Sequence, residues 1–398
     1  MNFKLNSEQQ LLQDSARRFI DRAYGFDERT ALLKAGQGAS DGNWRSFAEM
    51  GWLAAALPEK HDGFGGSVMD TALIAQELGR GLVIEPYLGC AVLAAQTLVA
   101  AASPAQRKRL LPQLADGSQR IALAYSEASS RGDPAILATS ATACAGGYVL
   151  QGRKTLVLGA STADSFIVSA RMAGGMDSAR DISLFLVDAD SPGLTQHSFL
   201  LHDGSRASEL VFDQLRVGSD ALLGEPGTGL SALRHGLAHA VAALCAELVG
   251  AMEKAIEITA DYLKTRKQFG VAIGSFQALQ HRMADMVADL EMARSMLYAL
   301  LASMENDDPA ALQFTLSQAK ALIGRAAKNV CGQAIQLHGG IGMTEECAIG
   351  HYYKRAVVAD LLFGNSDRHE ADCASALQRG LRQSFSTTST TTQGDTHA

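Results

Sequence analysis

Gln336-Leu337-His338-Gly339-Gly340-Ile341-Gly342-Met343-Thr344 closes a helical pattern that begins near Pro309. Paired glycines after such a run are ordinary C-cap material, because glycine takes the left-handed backbone that ends a helix without a Cβ clash. They also leave bare backbone for a ligand to approach, beside the Gln336 amide. His338 reads as a hydrogen-bonded structural residue. Working back along the chain, Phe276, Leu279, Met283, Met286, Leu290, Met296 and Leu300 mark a second long helix. Leu230, Leu233, Leu237, Val241, Leu244, Leu248, Val249, Met252 and Ile256 form the wide apolar stripe of another. Short connections between long amphipathic helices predict an antiparallel bundle, so 227–385 is expected to be a domain of the four-helix-bundle kind.

Outward from the bundle the pattern changes twice. Between 121 and 226, short β-rich runs such as Ile136 to Cys144, Tyr148 to Val157 and Ile182 to Asp188 are divided by Gly, Pro, Asp and Ser. Gly146-Gly147 suits a hairpin turn, and no helical pattern separates the strands, which predicts an antiparallel sandwich or barrel. Residues 1–120 read as helical. Ser7-Glu8-Gln9-Gln10 is a capping-box signature, and Ser103-Pro104 starts a helix expected to stop near Leu111-Pro112. The last segment, 386–398, is rich in Ser and Thr with nothing to bury and is expected to be a disordered tail. The fold class is therefore multi-domain α+β: helical domain, β domain, helical bundle.

Composition narrows the function. The 398 residues are 47% apolar and carry 35 basic against 42 acidic side chains, a net charge of −7. No basic field is available for a phosphate backbone, so nucleic acid is excluded as a partner class. The apolar run Ala240 to Ala246 is far short of a membrane span, and the polar start Met1 to Glu8 has no signal-peptide core. The six cysteines lie at least 16 residues apart and the ten histidines lack metal-ligand spacing, so neither disulfides nor a metal site is expected. The expected compartment is the cytoplasm. Gly63-Phe64-Gly65-Gly66 and Gly224-Glu225-Pro226-Gly227-Thr228-Gly229 fit no nucleotide-binding motif and read as turns. Arg266-Lys267-Gln268-Phe269-Gly270, with Gln277 beyond it, ends a helix. Its basic residues complement the helix dipole, and the Arg266 fork could also grip a pyrophosphate.

Taken together these segments resemble the acyl-CoA dehydrogenase family over nearly the whole chain. Pro58-Glu59 with Gly63-Phe64-Gly65-Gly66, the Gly147-to-Lys154 hairpin, Tyr262 to Gly270, and above all Gln336 to Thr344 carry the likeness. Within the family it extends to the small subunit of pimeloyl-CoA dehydrogenase, on Glu85-Pro86-Tyr87, Ser183 to Asp188 and Leu362-Phe363-Gly364. The resemblance implies FAD held between subunits, desaturation of an acyl-CoA thioester, a homo- or hetero-oligomer, and an electron-transferring flavoprotein as acceptor. It assigns FAD contacts to Arg266, Phe269, Gln277, Gln336, Leu337, His338, Gly339, Gly340 and Asn365.

The chain departs from the family where the chemistry is done. The usual glutamate base position holds Phe363, and the alternative position on the first long bundle helix falls on Ala240. A phenyl ring and a methyl group accept no proton. Asp367, Glu247 and His239 are the weaker substitutes. The strand expected to flank the flavin ring through a tryptophan and a threonine carries Leu156 and Leu158 instead, and the Thr-Glu-Pro loop reads Ser126-Glu127-Ala128. Arg131 and Arg234 are candidates for holding a distal carboxylate on a dicarboxylic acyl chain. The leading expectation is a subunit that lacks the catalytic glutamate in a heteromeric dehydrogenase. The alternatives are a self-sufficient homo-oligomer with a displaced base, and a flavin-free scaffold.

Overall fold

The computed structural model describes residues 4–36, 39–172, 181–306 and 308–390, with side chains through 379. Six helices precede the sheet: α1 (Ser7–Ala23), α2 (Phe26–Lys34), α3 (Asp41–Glu49), α4 (Val68–Arg80), α5 (Ala95–Ala101) and α6 (Pro104–Ala115). Between α4 and α5 the chain winds as a π-helical segment, Tyr87–Ala94. Leu11, Leu12, Ala16, Phe19 and Ile20 do share one helix, but the capping box sits one residue before the expected start. Asn6 Oδ1 accepts from Gln9 N at 2.8 Å, and Gln9 Oε1 accepts from Asn6 N at 3.2 Å. Asn caps as well as Ser, so the reciprocal pair formed with Asn6 instead. Ser103 caps α6 as its sequence suggests, yet the helix runs through Pro112 to Ala115, because a proline in the last turn removes only one intrahelical bond.

Eight strands follow: β1 (Ile121–Ala124), β2 (Ser140–Cys144), β3 (Gly147–Leu158), β4 (Ser165–Met172), β5 (Ile182–Asp188), β6 (Leu194–Leu200), β7 (Arg206–Gly218) and β8 (Leu222–Leu223). Their order is β6-β7-β3-β2-β4-β5-β8, with β1 beside β4. Most pairings are antiparallel, but β1 and β2 each run parallel to β4, so the sheet is mixed. The β2–β3 turn is Ala145-Gly146. Gly147 already pairs with Cys144, and a Cβ there would lie 2.0 Å from Val217 O.

The bundle consists of α7 (Gly229–Thr265), α8 (Gln277–Met304), α9 (Pro309–His338) and α10 (Ala348–Leu361), with α11 (Ser366–Thr390) against α9. A small hairpin, β9 (Lys267–Gln268) and β10 (Val271–Ala272), joins α7 to α8. Of the tail expected to be disordered, 386–390 continue α11, whose helical hydrogen bonding does not require a buried face, and 391–398 lie outside the described residues. Among the described residues, α7 alone is long and apolar enough to cross a membrane, but 78% of its apolar window is buried inside the protein, as befits a core helix. It crosses α4 at backbone contact. A Cβ on Gly250 would meet Gln76 O at 1.8 Å, and one on Gly79 would meet Glu247 O at 2.0 Å. That crossing seats Glu247 at the junction of the three parts.

Candidate functional site

At this junction α4, the π-helical segment, the end of β3, α7 and Leu362 enclose a cavity of about 860 Å³, its mouth included. One half is apolar, walled by Leu78, Val83, Leu88, Leu158 and Leu362. A π-helical turn widens the helix by one residue and is common at binding sites; here it supplies Leu88 and Gly89.

Phe363, next to Leu362, occupies a left-handed conformation, φ 61°, followed by Gly364 at φ 99°. Two buried groups hold this turn. Lys320 Nζ donates to Gly364 O at 3.1 Å and to Asp360 O at 3.0 Å. His369 Nε2 donates to Phe363 O at 3.1 Å, which leaves Nδ1 to accept from Ser317 Oγ at 3.1 Å. Phe363 packs on the apolar cluster that contains Ala240, Leu123 and Tyr125. The two positions expected to hold a base, about 120 residues apart in sequence, thus converge on one cluster and bring no proton acceptor to it.

The substitutes lie elsewhere. Asp367 is exposed and pairs with Arg325 at 3.2 Å. His239 stacks near His235, ring centroids 4.6 Å apart, and does not line the cavity. Glu247 does line it, but Arg355 engages both its oxygens, Nε at 2.5 Å and Nη2 at 3.0 Å, while Nη1 reaches Asp203 at 2.9 Å.

Burial, reinforced by the Lys320 charge, pushes the His369 pKa down to about 4. A histidine with a depressed folded pKa binds fewer protons folded than unfolded. Its contribution is full above pH 6.5 and drains as the pH falls toward 4, about 3 kcal/mol in all. His369→Gln is expected to flatten that part of the acid loss when unfolding is followed from pH 7 to pH 4. An unchanged slope would place the acid sensitivity elsewhere.

The expected flavin-ring side gathers three segments: the 126–133 loop, the end of β3, and the Phe363 turn. Arg368 Nη1 donates to Arg131 O, tying the first to the last. Glu127 faces inward. It pairs with the fully buried Lys154 at 2.8 Å and accepts from Ala138 N and Thr139 Oγ1 at 2.6 and 2.7 Å. Burial lowers the Lys154 pKa to about 8, and Glu127 limits the drop. Leu156 sits at a bulge with φ 54°, and Leu158 packs on Gly89; neither offers a hydroxyl or an indole.

The other predicted cofactor residues form a separate, outward face at the α7–α8 hairpin and the end of α9. Arg266, Gln277, Gln336, Gly339 and Gly340 are exposed, and Phe269 is 90% exposed. Leu337 and His338 turn inward. His338 stacks on Tyr262 at 4.4 Å and its Nδ1 donates to Ala334 O at 2.8 Å. Asn365 stands apart from this face and caps α11, accepting from Arg368 N at 3.1 Å. Gly339 has φ 65°, and a Cβ at Gly339, Gly340 or Gly270 would meet nothing within 4 Å. Open backbone beside an unengaged guanidinium fits the pyrophosphate end of FAD. Arg131 and Arg234 do not line the cavity. Arg29, Arg206 and Arg355 do, with Glu85, Asp203 and Glu247. Apart from Glu247, sequence reasoning assigned these residues no role in a cavity, since each alone resembles an ordinary surface charge.

A helical domain, a sheet and a helical bundle around a central cavity define a three-domain α+β class. Three profiles, the N-terminal, middle and C-terminal domains of acyl-CoA dehydrogenase, match 6–118, 122–215 and 227–378. The chain belongs to the acyl-CoA dehydrogenase family, FAD-dependent oxidoreductases acting on a CH–CH bond. It is 28% identical over 372 residues to "Probable acyl-CoA dehydrogenase YngJ" of Bacillus subtilis, covering 92% of this chain and 97% of that one. To L-prolyl-[peptidyl-carrier protein] dehydrogenase of Serratia it is 29% identical over 392 residues, 96% and 99% of the two chains. A solved structure of a Tcur3481-Tcur3483 steroid ACAD variant superposes with TM-score 0.84 at 29% identity, covering 94% and 99%.

Proposed function

We propose that this chain is the subunit lacking the catalytic glutamate in a heteromeric FAD-dependent acyl-CoA dehydrogenase. The observation that carries the reading is the contrast between its two faces. Phe363 and Ala240 share one apolar cluster, whereas Arg266, Phe269, Gln277, Gln336, Gly339 and Gly340 stand exposed. Removing an α-proton from a thioester needs a carboxylate at the reacting carbon. Here that place is filled by apolar side chains, so the partner chain supplies the base. FAD, when bound, accepts the hydride from the β-carbon. Arg266 and the Gly339-Gly340 backbone would hold its pyrophosphate, and Phe269, Gln277 and Gln336 would contact its adenosine half. The pairing of two chain names in the steroid relative accords with this division. The likeness of Glu85-Pro86-Tyr87 to pimeloyl-CoA dehydrogenase small subunits also favours an acyl chain with a functional group beyond the reacting carbons. An electron-transferring flavoprotein is the proposed acceptor and the cytoplasm the proposed compartment.

A self-sufficient homo-oligomer is the rival reading, favoured by the presence of Glu247 in the cavity wall. Flavin bleaching by acyl-CoA, followed in the unmodified chain, Glu247→Gln and Phe363→Glu, separates the two. On the heteromeric reading Phe363→Glu alone does not bleach its flavin with acyl-CoA, because Leu156 and Leu158 still leave the ring without its contacts. Bleaching that appears only in Phe363→Glu would overturn the account of the ring side, and bleaching that exists in the unmodified chain and vanishes in Glu247→Gln would overturn the heteromeric reading.

A further inference from the structure

The cavity is unusual for a site meant to receive a hydrocarbon chain. Its apolar half, near Leu362, gives way to three carboxylates, Glu85, Asp203 and Glu247, and three guanidiniums, Arg29, Arg206 and Arg355. Burying charges costs free energy unless each is paired, so the accounting of partners is informative. Arg355 closes a triad with Glu247 and Asp203, and the second Asp203 oxygen accepts from Ser205 N and Oγ at 3.0 and 2.6 Å. Arg29 spends its donors on Leu82 O at 2.8 Å, Asp203 O at 2.9 Å and His351 Nδ1 at 3.3 Å. Arg206 donates to Gly36 O at 2.8 Å.

Glu85 is the exception. It is only 5% exposed, and its Oε1 accepts from Asn43 Nδ2 at 2.8 Å and Ser40 N at 3.3 Å, steadying the start of α3. Its Oε2 is buried with no hydrogen-bond partner. The neighbouring Tyr24 hydroxyl accepts from Ile84 N at 2.9 Å; burial and then the Glu85 charge raise its pKa, yet it makes no bond to Oε2 of acceptable geometry. A buried acceptor without a donor is a standing cost that a ligand donor would relieve.

We propose that this cavity binds an acyl thioester whose chain carries a neutral hydroxyl, donated to Glu85 Oε2, and holds it without oxidising it. The class follows from the charges. Three acids and three arginines cancel, so a neutral group disturbs the balance least. An added carboxylate would bring no proton to the free Glu85 oxygen, and an added ammonium would leave a buried wall with a net positive charge. The inference rests on the proposed reading that the chain retains the family's thioester cavity but has no base in it.

Equilibrium titration of the purified chain with ω-hydroxyhexanoyl-, hexanoyl-, adipoyl- and ω-aminohexanoyl-CoA tests it. The hydroxylated thioester is expected to bind about tenfold tighter than hexanoyl-CoA. Glu85→Leu should abolish that difference, since no polar atom remains to pair with the hydroxyl, and Tyr24→Phe should preserve it. Equal affinity for the hydroxylated and plain chains, tighter binding of the diacid or the amine, or loss of the preference in Tyr24→Phe would overturn the inference while leaving the base-less reading intact. Bleaching of bound flavin by any of the four would overturn the base-less reading instead. Failure of all four to bind would overturn the cavity as a thioester site.

Discussion

Replacing Arg355 with methionine should destabilise the protein by about 3–5 kcal/mol, because it leaves two carboxylates facing each other across a buried wall. Burial alone would lower the Arg355 pKa, but Glu247 and Asp203 outweigh it and raise it. Asp203 answers in kind. Burial pushes its pKa up, while Arg355 and the Ser205 donors bring it below the usual carboxylate value. A carboxyl with a depressed folded pKa contributes stability that is present above its unfolded pKa and lost as the pH falls through the folded one. The gap between parent and Arg355→Met in urea unfolding should therefore be widest near neutral pH and narrow below about pH 4. Adding Glu247→Gln to Arg355→Met should recover part of the loss, since a neutral amide tolerates the buried position better than an unpaired charge. A loss under about 1 kcal/mol would mean that water reaches the triad and screens it.

Arg266→Ala should weaken FAD retention by the assembled enzyme at least tenfold. Arg266 stands at the end of α7 with no side-chain partner among the described residues, so removing it costs this chain little stability. A guanidinium on a diphosphate supplies charge-assisted, bidentate hydrogen bonds, which a methyl group cannot replace. The measurement is flavin content after extensive dialysis of parent and variant complexes, with Arg266→Lys as a partial rescue. Unchanged flavin content in Arg266→Ala would favour the scaffold alternative, in which this face touches protein alone.

Much of this fold is written in periodicity. The α7 stripe from Leu230 to Ile256 and the apolar positions of α8 follow directly from helical spacing. Strand β6 escaped because Leu194 to Leu200 is an edge strand with mostly exposed side chains, so its sequence lacks the apolar alternation of a buried strand. The parallel placement of β1 and β2 beside β4 depends on where distant segments return, which local pattern does not encode. The proposed cofactor face was legible as a candidate because Arg266 to Gln277 and Gln336 to Gly340 are compact in sequence. The cavity was not. Its triad joins residues 108 and 152 positions apart, and only the packing of α10 against α7 and against the β6–β7 turn brings them together. The gap in Glu85's bonding likewise appears only once Asn43 and Ser40 are seen to occupy one oxygen and nothing the other.

The most direct test of the central claim is the visible absorption spectrum of the chain purified alone, read as the FAD-to-protein ratio before and after addition of acyl-CoA. The proposed cofactor face, exposed on one side, and the leucines at 156 and 158 predict substoichiometric FAD and no bleaching, with full loading only beside a glutamate-bearing partner chain. Stoichiometric FAD that bleaches with acyl-CoA in the isolated chain would contradict the account and make Glu247 the first residue to replace.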